Sequence, residues 1–91
     1  MIPVHETLGT VEVKSLVGAI AAADAMLKSA TVSIADFHIV GSGLVAVVVK
    51  GDVAAVSTAV EAGKSVAERI CEVISAVVIA RPNEEVEKLL L

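Results

Sequence analysis

Aromatic side chains are almost missing from this chain. Phe37 is the only one among 91 residues, and there is no tryptophan or tyrosine. A surface that binds single-stranded nucleic acid stacks its bases on several aromatic rings. Basic side chains are also in the minority, because seven Lys and Arg face eleven Asp and Glu, for a formal charge of −4. Nucleic-acid affinity comes largely from Lys and Arg contacts with phosphates, so both shortages argue against a nucleic-acid-binding protein.

Cysteine and long apolar runs are scarce as well. Cys71 is the only cysteine, so no disulfide can form within the chain, as is usual for proteins of a reducing cytosol. The longest apolar stretches, 16–27 and 53–70, contain charged residues, whereas a membrane-spanning helix needs about 20 apolar residues. The first residues also lack the pattern of a signal peptide. We therefore expect a cytoplasmic protein that does not enter a membrane.

Small aliphatic residues dominate what remains. Hydrophobic residues make up 56% of the chain, and nearly all are Ala, Val, Leu or Ile. This proportion exceeds what a domain of 91 residues needs for its own core. Since a membrane span is not indicated, the excess predicts an obligate oligomer.

Hydrophobic periodicity predicts six regular elements in one α+β domain. Alternating or continuous apolar runs predict strands at 8–13, 32–40, 44–49 and 72–80. Three- and four-residue apolar spacing predicts helices at 16–27 and 53–70. Beyond Arg81-Pro82, Asn83 can cap a short final helix. The order β-α-β-β-α-β is that of the ferredoxin-like, or split β-α-β, fold.

Each helix has an N-cap candidate and an apolar stripe. Ser15 and Asp52 precede the two helices and are residue types that accept hydrogen bonds from free N–H groups. In the first helix we expect the stripe to consist of Leu16, Ile20, Ala23 and Leu27. In the second helix, Gly63 falls on the stripe and predicts close packing on the sheet.

Gly41-Ser42-Gly43 separates the second and third strands. Two glycines allow backbone conformations that other residues avoid, and they leave one small hydroxyl at the turn. In a monomer this would be an ordinary loop tip with a turn serine. Repeated around a rotation axis, it would surround a hole with hydroxyl and amide groups. The turn by itself does not decide between these two interpretations.

Several segments together resemble the single-domain, hexamer-forming shell proteins of bacterial microcompartments. The matching segments are Leu8-Gly9-Thr10-Val11-Glu12-Val13-Lys14, Ala22-Ala23-Asp24-Ala25-Met26 with Lys28, Gly41-Ser42-Gly43-Leu44-Val45, Val49-Lys50-Gly51-Asp52-Val53 and Val78-Ile79-Ala80-Arg81-Pro82. The match runs from about residue 8 to residue 82. It implies one such domain over 1–91, with a variable tail at 83–91.

The resemblance implies a flat cyclic homohexamer that tiles into a protein sheet around enzymes. The expected partners are further copies, neighbouring hexamers, other shell paralogues, the enclosed enzymes and small polar metabolites. It also implies roles for particular residues. Gly41, Ser42 and Gly43 would line a pore on the six-fold axis, and Lys28 and Arg81 would contact the neighbouring hexamer at the edge. The simpler alternatives are a charge that stabilises a helix end for Lys28 and a solvated strand end for Arg81.

The chain departs from the family pattern near the pore and at the edge. Ile39 occupies a position that is often lysine in relatives, and Asn83 one that is often histidine. We therefore expect the first change to make the surroundings of the implied pore less cationic than in those relatives.

Two competing functions follow from the fold alone. One is an oligomeric small-molecule regulator similar in outline to PII proteins, but the chain has no phosphate-cradling glycine motif. The other is a ferredoxin-like enzyme, but no acid–base constellation is recognisable. His5 and His38 lack partners at metal-ligand spacing, and Cys71 is expected to be a buried, inert thiol. We therefore expect no catalytic residue, metal or cofactor.

Overall fold

The computed structural model describes residues 6–80, except for the side chain of residue 80. It contains four strands and two helices in the predicted order. The elements are β1 (Thr7–Val13), α1 (Leu16–Ser29), β2 (Ser33–Gly41), β3 (Leu44–Gly51), α2 (Val53–Glu68) and β4 (Val73–Ala80). Every observed boundary lies within two residues of its prediction. The predicted final helix and Arg81 lie outside the described residues.

The strands form one antiparallel sheet with the order β2-β3-β1-β4. β1 and β2 are therefore parallel to each other, with β3 between them, which is the split β-α-β topology. The prediction of an α+β fold of this type is confirmed for the part of the chain that the structure describes. None of the helices described there is long and apolar enough to span a membrane.

Both helices pack on the same face of the sheet. The core consists of alternate residues of the two central strands and of small residues from the helices. Its members are Val11, Val13, Ala19, Ala22, Met26, Val45, Val47, Val49, Val56, Ala59, Val60 and Ala67. The predicted alternation in β1 is confirmed, because Val11 and Val13 are fully buried while Thr10 and Glu12 lie on the opposite face. That opposite face carries no helix from residues 6–80, and we call it the open face.

The predicted core stripe of α1 is wrong. The buried residues of this helix are Gly18, Ala19, Ala22 and Met26. The larger side chains that we expected to face the core, Leu16, Ile20 and Leu27, are about half exposed. The reason is steric, because the glycine and alanine face lets α1 approach α2 and the sheet closely. Its bulkier apolar face is left on the surface.

Close packing also explains why position 63 is a glycine, but the close contact is not with the sheet, as the spacing predicted. A Cβ atom at this position would lie 2.7 Å from Cγ and 2.8 Å from Sδ of Met26. Gly63 therefore marks the contact between α2 and α1, and not a contact with the sheet. The contact with the sheet is made at Gly9 of β1, where a Cβ would lie 2.5–2.6 Å from the side chains of Val60 and Val56.

Both predicted N-caps are confirmed. The Ser15 hydroxyl accepts a hydrogen bond of 3.0 Å from the Gly18 amide, and the Asp52 carboxylate accepts one of 3.0 Å from the Ala55 amide. Each cap satisfies one N–H group that has no partner inside its helix.

Candidate functional site

The tip of the β2–β3 hairpin is a two-residue turn. Gly41 and Leu44 face each other as the last strand pair, and Ser42 and Gly43 connect them. Their φ angles are +51° and +81°, the values expected of a type I′ turn, whose twist matches that of the flanking strands. The hairpin therefore ends in the tightest turn available, with the serine hydroxyl at its apex.

Glycine is favoured at positions 41 and 43 by the backbone conformation, and not by a lack of room for a side chain. A Cβ at Gly41 or at Gly43 would meet no atom within 4 Å, but both residues have positive φ, at +135° and +81°. Ser42 also has positive φ, at a typical cost of roughly 1–2 kcal/mol for a residue with a side chain. A glycine at position 42 would avoid this cost.

The strand that leads to the tip is open to its surroundings. All nine residues of β2 are exposed, because β2 is an edge strand and neither helix covers it. Ile39 and Val40, next to the turn, are 66% and 53% exposed. Register shifts between Ile34 and Asp36 and between Ile39 and Gly41 interrupt the pairing with β3. Such bulges protect an edge strand from unwanted strand addition.

Asp36 and His38 form a close side-chain contact that was not predicted from the sequence. Nδ1 of His38 lies 2.8 Å from Oδ2 of Asp36, and both side chains are about half exposed. The other carboxylate oxygen accepts a hydrogen bond of 2.8 Å from the Phe37 amide. The signal was present in the sequence, since residues two apart on a strand lie on the same face. This pair gives polar character to the open face beside the hairpin tip.

Lys28 lies far from the hairpin tip, in the last turn of α1. Its Nζ is 3.0 Å from Oδ2 of Asp24, four residues earlier on the helix, and the lysine side chain is 76% exposed. Three residues separate α1 from the start of β2, and β2 ends at Gly41. At about 3.3 Å per residue, β2 itself is about 26 Å long. Lys28 and Ser42 are thus placed near opposite ends of β2.

The described surface carries many large apolar side chains. They come mainly from α1, β2 and β4, together with the first residue of α2 and one residue just after this helix. They are Leu16, Val17, Ile20, Leu27, Ile34, Phe37, Ile39, Val40, Val53, Ile70, Ile74, Val77, Val78 and Ile79. Exposure of this many large apolar side chains is unusual for a small monomeric protein. This surface is therefore suited to contact with other protein.

The remaining polar groups do not form a reactive site. In residues 6–80 no three His, Cys, Asp or Glu side chains are grouped so that they could hold a metal ion. Cys71 is partly buried, packs against Gly18 and donates a hydrogen bond of 3.5 Å to the Ala67 carbonyl. Glu12 accepts a hydrogen bond of 2.8 Å from the hydroxyl of Ser75.

A model of the BMC domain family matches residues 7–82. The chain is 52% identical over 86 residues to the bacterial microcompartment shell protein PduA of Citrobacter freundii, covering 94% of this chain and 92% of that protein. It is 43% identical over 84 residues to the shell protein EutM of Salmonella typhimurium, covering 92% and 88%. It is 46% identical over 84 residues to the carboxysome shell protein CsoS1A of Hydrogenovibrio crunogenus, covering 91% and 88%.

A solved structure gives the same result. The crystal structure of a microcompartment protein from Desulfitobacterium hafniense superimposes with a TM-score of 0.80 at 38% sequence identity. The match covers 91% of this chain and 45% of that chain, so this chain spans less than half of the solved one.

Proposed function

Because the chain belongs to the BMC-domain family and is a shell protein of a bacterial microcompartment, we propose that six copies form a flat ring with Ser42 around the central axis. Its place in the cell is that of its relatives, the shell of a compartment in the cytoplasm. Its role is structural, and it catalyses no reaction. Its partners are other hexamers, shell paralogues, the enclosed enzymes and the small polar metabolites that cross the shell.

The exposed apolar surface supports the ring. α1 turns Val17 and Ile20 outwards, and these side chains are 67% and 56% exposed. Ile34 and Phe37 of β2 lie on the side of the sheet that carries the helices, but neither helix covers them and both are exposed. At about 25 cal/mol per Å² of apolar area removed from water, burial of such side chains against a second copy is the main stabilising term. A closed ring buries two such surfaces on every copy.

The turn at the hairpin tip supports the pore. Ser42 occupies a conformation that disfavours any residue with a side chain, and strained residues of this kind cluster at functional positions. Six hydroxyls and the neighbouring amides would replace part of the hydration shell of a small polar or anionic metabolite. Ile39 and Val40 place no charge next to Ser42. The pore would therefore select metabolites by their size and by their hydrogen bonds to the serine.

Lys28 supports contacts between rings. It is exposed at the end of α1, near the opposite end of β2 from Ser42, where the rim of a ring would lie if the tip is on the axis. Arg81, which lies outside the described residues, is proposed for the same edge because its planar guanidinium group can bind several carbonyl oxygens.

Native mass spectrometry of the purified protein tests the ring. We expect six times the 9.2 kDa of one chain, about 55 kDa. A dimer or trimer would remove the six-fold pore from the proposal and favour the oligomeric regulator instead. If the mass is that of six chains, electron microscopy of the concentrated protein then shows whether the rings assemble into sheets.

A further inference from the structure

Asp36 and His38 lie side by side on the open face, on the edge strand β2. Their partners in β3 are Val48 and Ala46, which alternate with the core residues of that strand. Nδ1 of His38 is 2.8 Å from Oδ2 of Asp36, and the two side chains are 50% and 57% exposed. A nitrogen atom and an oxygen atom that can both bind metals are thus held together where a dissolved ion can reach them.

We propose that Asp36 and His38 chelate a divalent transition-metal ion, Cu²⁺ or Ni²⁺ rather than Zn²⁺. Nδ1 of His38 and Oδ2 of Asp36 are the two protein ligands. Water completes the coordination, because no three His, Cys, Asp or Glu side chains are grouped for metal binding in residues 6–80. From the sequence we expected no metal, because no partner for His38 was recognised. The structure places that partner two residues earlier on the same strand.

The distance between the two ligand atoms supports this choice of metal. Bonds from such ions to nitrogen and oxygen are about 2.1 Å long, so an ion bonded to two atoms 2.8 Å apart has an angle of about 84° between its bonds. This is close to the right angle of square-planar and tetragonal Cu²⁺ and Ni²⁺ sites, and smaller than the angle of about 109° in a tetrahedral Zn²⁺ site. A small rotation of the exposed imidazole directs its lone pair at the ion.

The backbone already holds the carboxylate in place. Oδ1 of Asp36 accepts a hydrogen bond of 2.8 Å from the Phe37 amide, which leaves Oδ2 beside His38. Hydrogen bonds that fix a ligand group in this way are typical of metal sites. Among the ion pairs of the described residues, Lys28 and Lys64 contact other carboxylates, so neither competes with an ion for Asp36. The chelate is therefore partly formed before an ion binds.

The proposed site does not depend on assembly, because both ligands belong to one chain. The neighbouring side chains on β3, Ala46 and Val48, are uncharged, so the ion would dominate the local charge. It would add two positive charges to the open face, four residues before Ser42. In the proposed ring, every copy would carry one such ion on the strand that leads to the pore.

Calorimetric titration of the purified oligomer with Cu²⁺ tests the site. The background is Cys71→Ser, because a free thiol also binds copper and favours its reduction to Cu⁺. We expect saturation at one Cu²⁺ per chain. His38→Gln and Asp36→Ala should each weaken this binding at least about ten-fold, because the advantage of two linked ligands is lost with either one. Both side chains are exposed, so neither substitution should change the circular dichroism spectrum.

His5→Gln and Asp24→Ala are the matched controls. His5 is the only other histidine in the chain. Asp24 carries a carboxylate of similar exposure, at 61%, on α1. Both variants should bind Cu²⁺ as the background does. Pulsed electron paramagnetic resonance should detect an imidazole nitrogen bound to Cu²⁺ in the background and in His5→Gln, but not in His38→Gln.

Each other outcome contradicts the proposal. Binding that survives His38→Gln and is lost in His5→Gln would place the ion at the other histidine. Binding that survives Asp36→Ala but not His38→Gln would make the imidazole a single ligand and exclude a chelate. Absence of a saturable Cu²⁺ site in the background would leave the pair as a surface contact only. Ni²⁺ should also bind more tightly than Zn²⁺, and the reverse order would contradict the right-angled geometry.

Discussion

Gly63 of α2 lies directly against Met26 of α1. A Cβ at Gly63 would come within 2.7 Å of Met26 Cγ, and Met26 is completely buried. The carbonyl oxygen of Ala22 would be 3.4 Å from the same Cβ, so the backbone of α1 is also close. The distance between the two helices is thus set by the absence of a single methyl group.

We expect Gly63→Ala to lower the free energy of unfolding by up to about 2 kcal/mol. Alanine gains about 1 kcal/mol of helix propensity over glycine. Overpacking in a closed core costs about 1–3 kcal/mol, and the completely buried Met26 side chain would have to shift to accept the new methyl group. Urea unfolding at fixed protein concentration measures the difference.

The control for this prediction uses the partner side chain. In a Met26→Ala background the clash is removed, so Gly63→Ala should be neutral or stabilising there. If Gly63→Ala destabilises both backgrounds equally, the contact with Met26 is not the reason for the glycine.

Local patterns were sufficient to predict the elements of this fold. The alternation of β1, the caps Ser15 and Asp52 and the turn at Gly41-Ser42-Gly43 each depend on neighbouring residues only. This is why the strand and helix boundaries were predicted within two residues.

Which apolar face of α1 packs against the core could not be predicted from local patterns. α1 has a small face around Ala22 and a large one around Ile20, and both are apolar. Periodicity identifies such faces but not what covers them. In a chain that buries surface against other copies, the larger residues need not face its own core. The position of Gly63 was misjudged for a similar reason, since spacing shows that a residue is buried but not which element lies against it.

The candidate site was predictable only in part. The sequence identified the turn with Ser42. The contact between Asp36 and His38 was not predicted, although their spacing of two residues on β2 places both side chains on one face. A ring around an axis is a property of several copies, so it stays a prediction from family membership.

Replacing Ser42 by glycine should separate conformation from chemistry. Glycine adopts φ near +51° without strain, so Ser42→Gly should leave the oligomer intact and stabilise the hairpin by up to about 1 kcal/mol. The six hydroxyls are removed at the same time. We therefore expect altered uptake of a small polar solute by shells reconstituted from the variant, at unchanged native mass.

Ser42→Thr is the matched variant for this experiment. It keeps the hydroxyl but adds a β-branch at positive φ, so it should destabilise the turn by about 1–2 kcal/mol and preserve hydrogen bonding to solutes. Unchanged uptake in Ser42→Gly would show that the hydroxyl does not contact the solute.

The outward face of α1 is expected to hold the ring together. Ile20 is 56% exposed and makes no essential contribution to the core of its own chain. Ile20→Lys should therefore leave the secondary structure intact, as measured by circular dichroism, and shift the native mass below that of six chains. Glu61→Lys on the exposed side of α2 is the control and should keep the full mass. A six-chain mass for Ile20→Lys would move the interface away from this face.

Reversing the charge of Lys28 should prevent sheets without disturbing rings. In Lys28→Asp the i,i+4 pair with Asp24 becomes a repulsion, but pairs of this kind contribute only about 0.3–0.5 kcal/mol, so the fold and the native mass should not change. The edge contact would instead bring together carboxylates from two rings. We expect electron microscopy to show separate particles where the unaltered protein forms extended sheets.

Lys64→Asp provides the matched control for that experiment. Lys64 also belongs to an i,i+4 pair, with Nζ 3.8 Å from Oε1 of Glu68, and its side chain is 51% exposed. The substitution changes the net charge by the same amount and removes an equivalent pair on a different helix. Sheets that form with Lys64→Asp but not with Lys28→Asp would place the edge contact at the end of α1. Loss of sheets in both variants would attribute the effect to net charge, and sheets in both would exclude Lys28 from the edge.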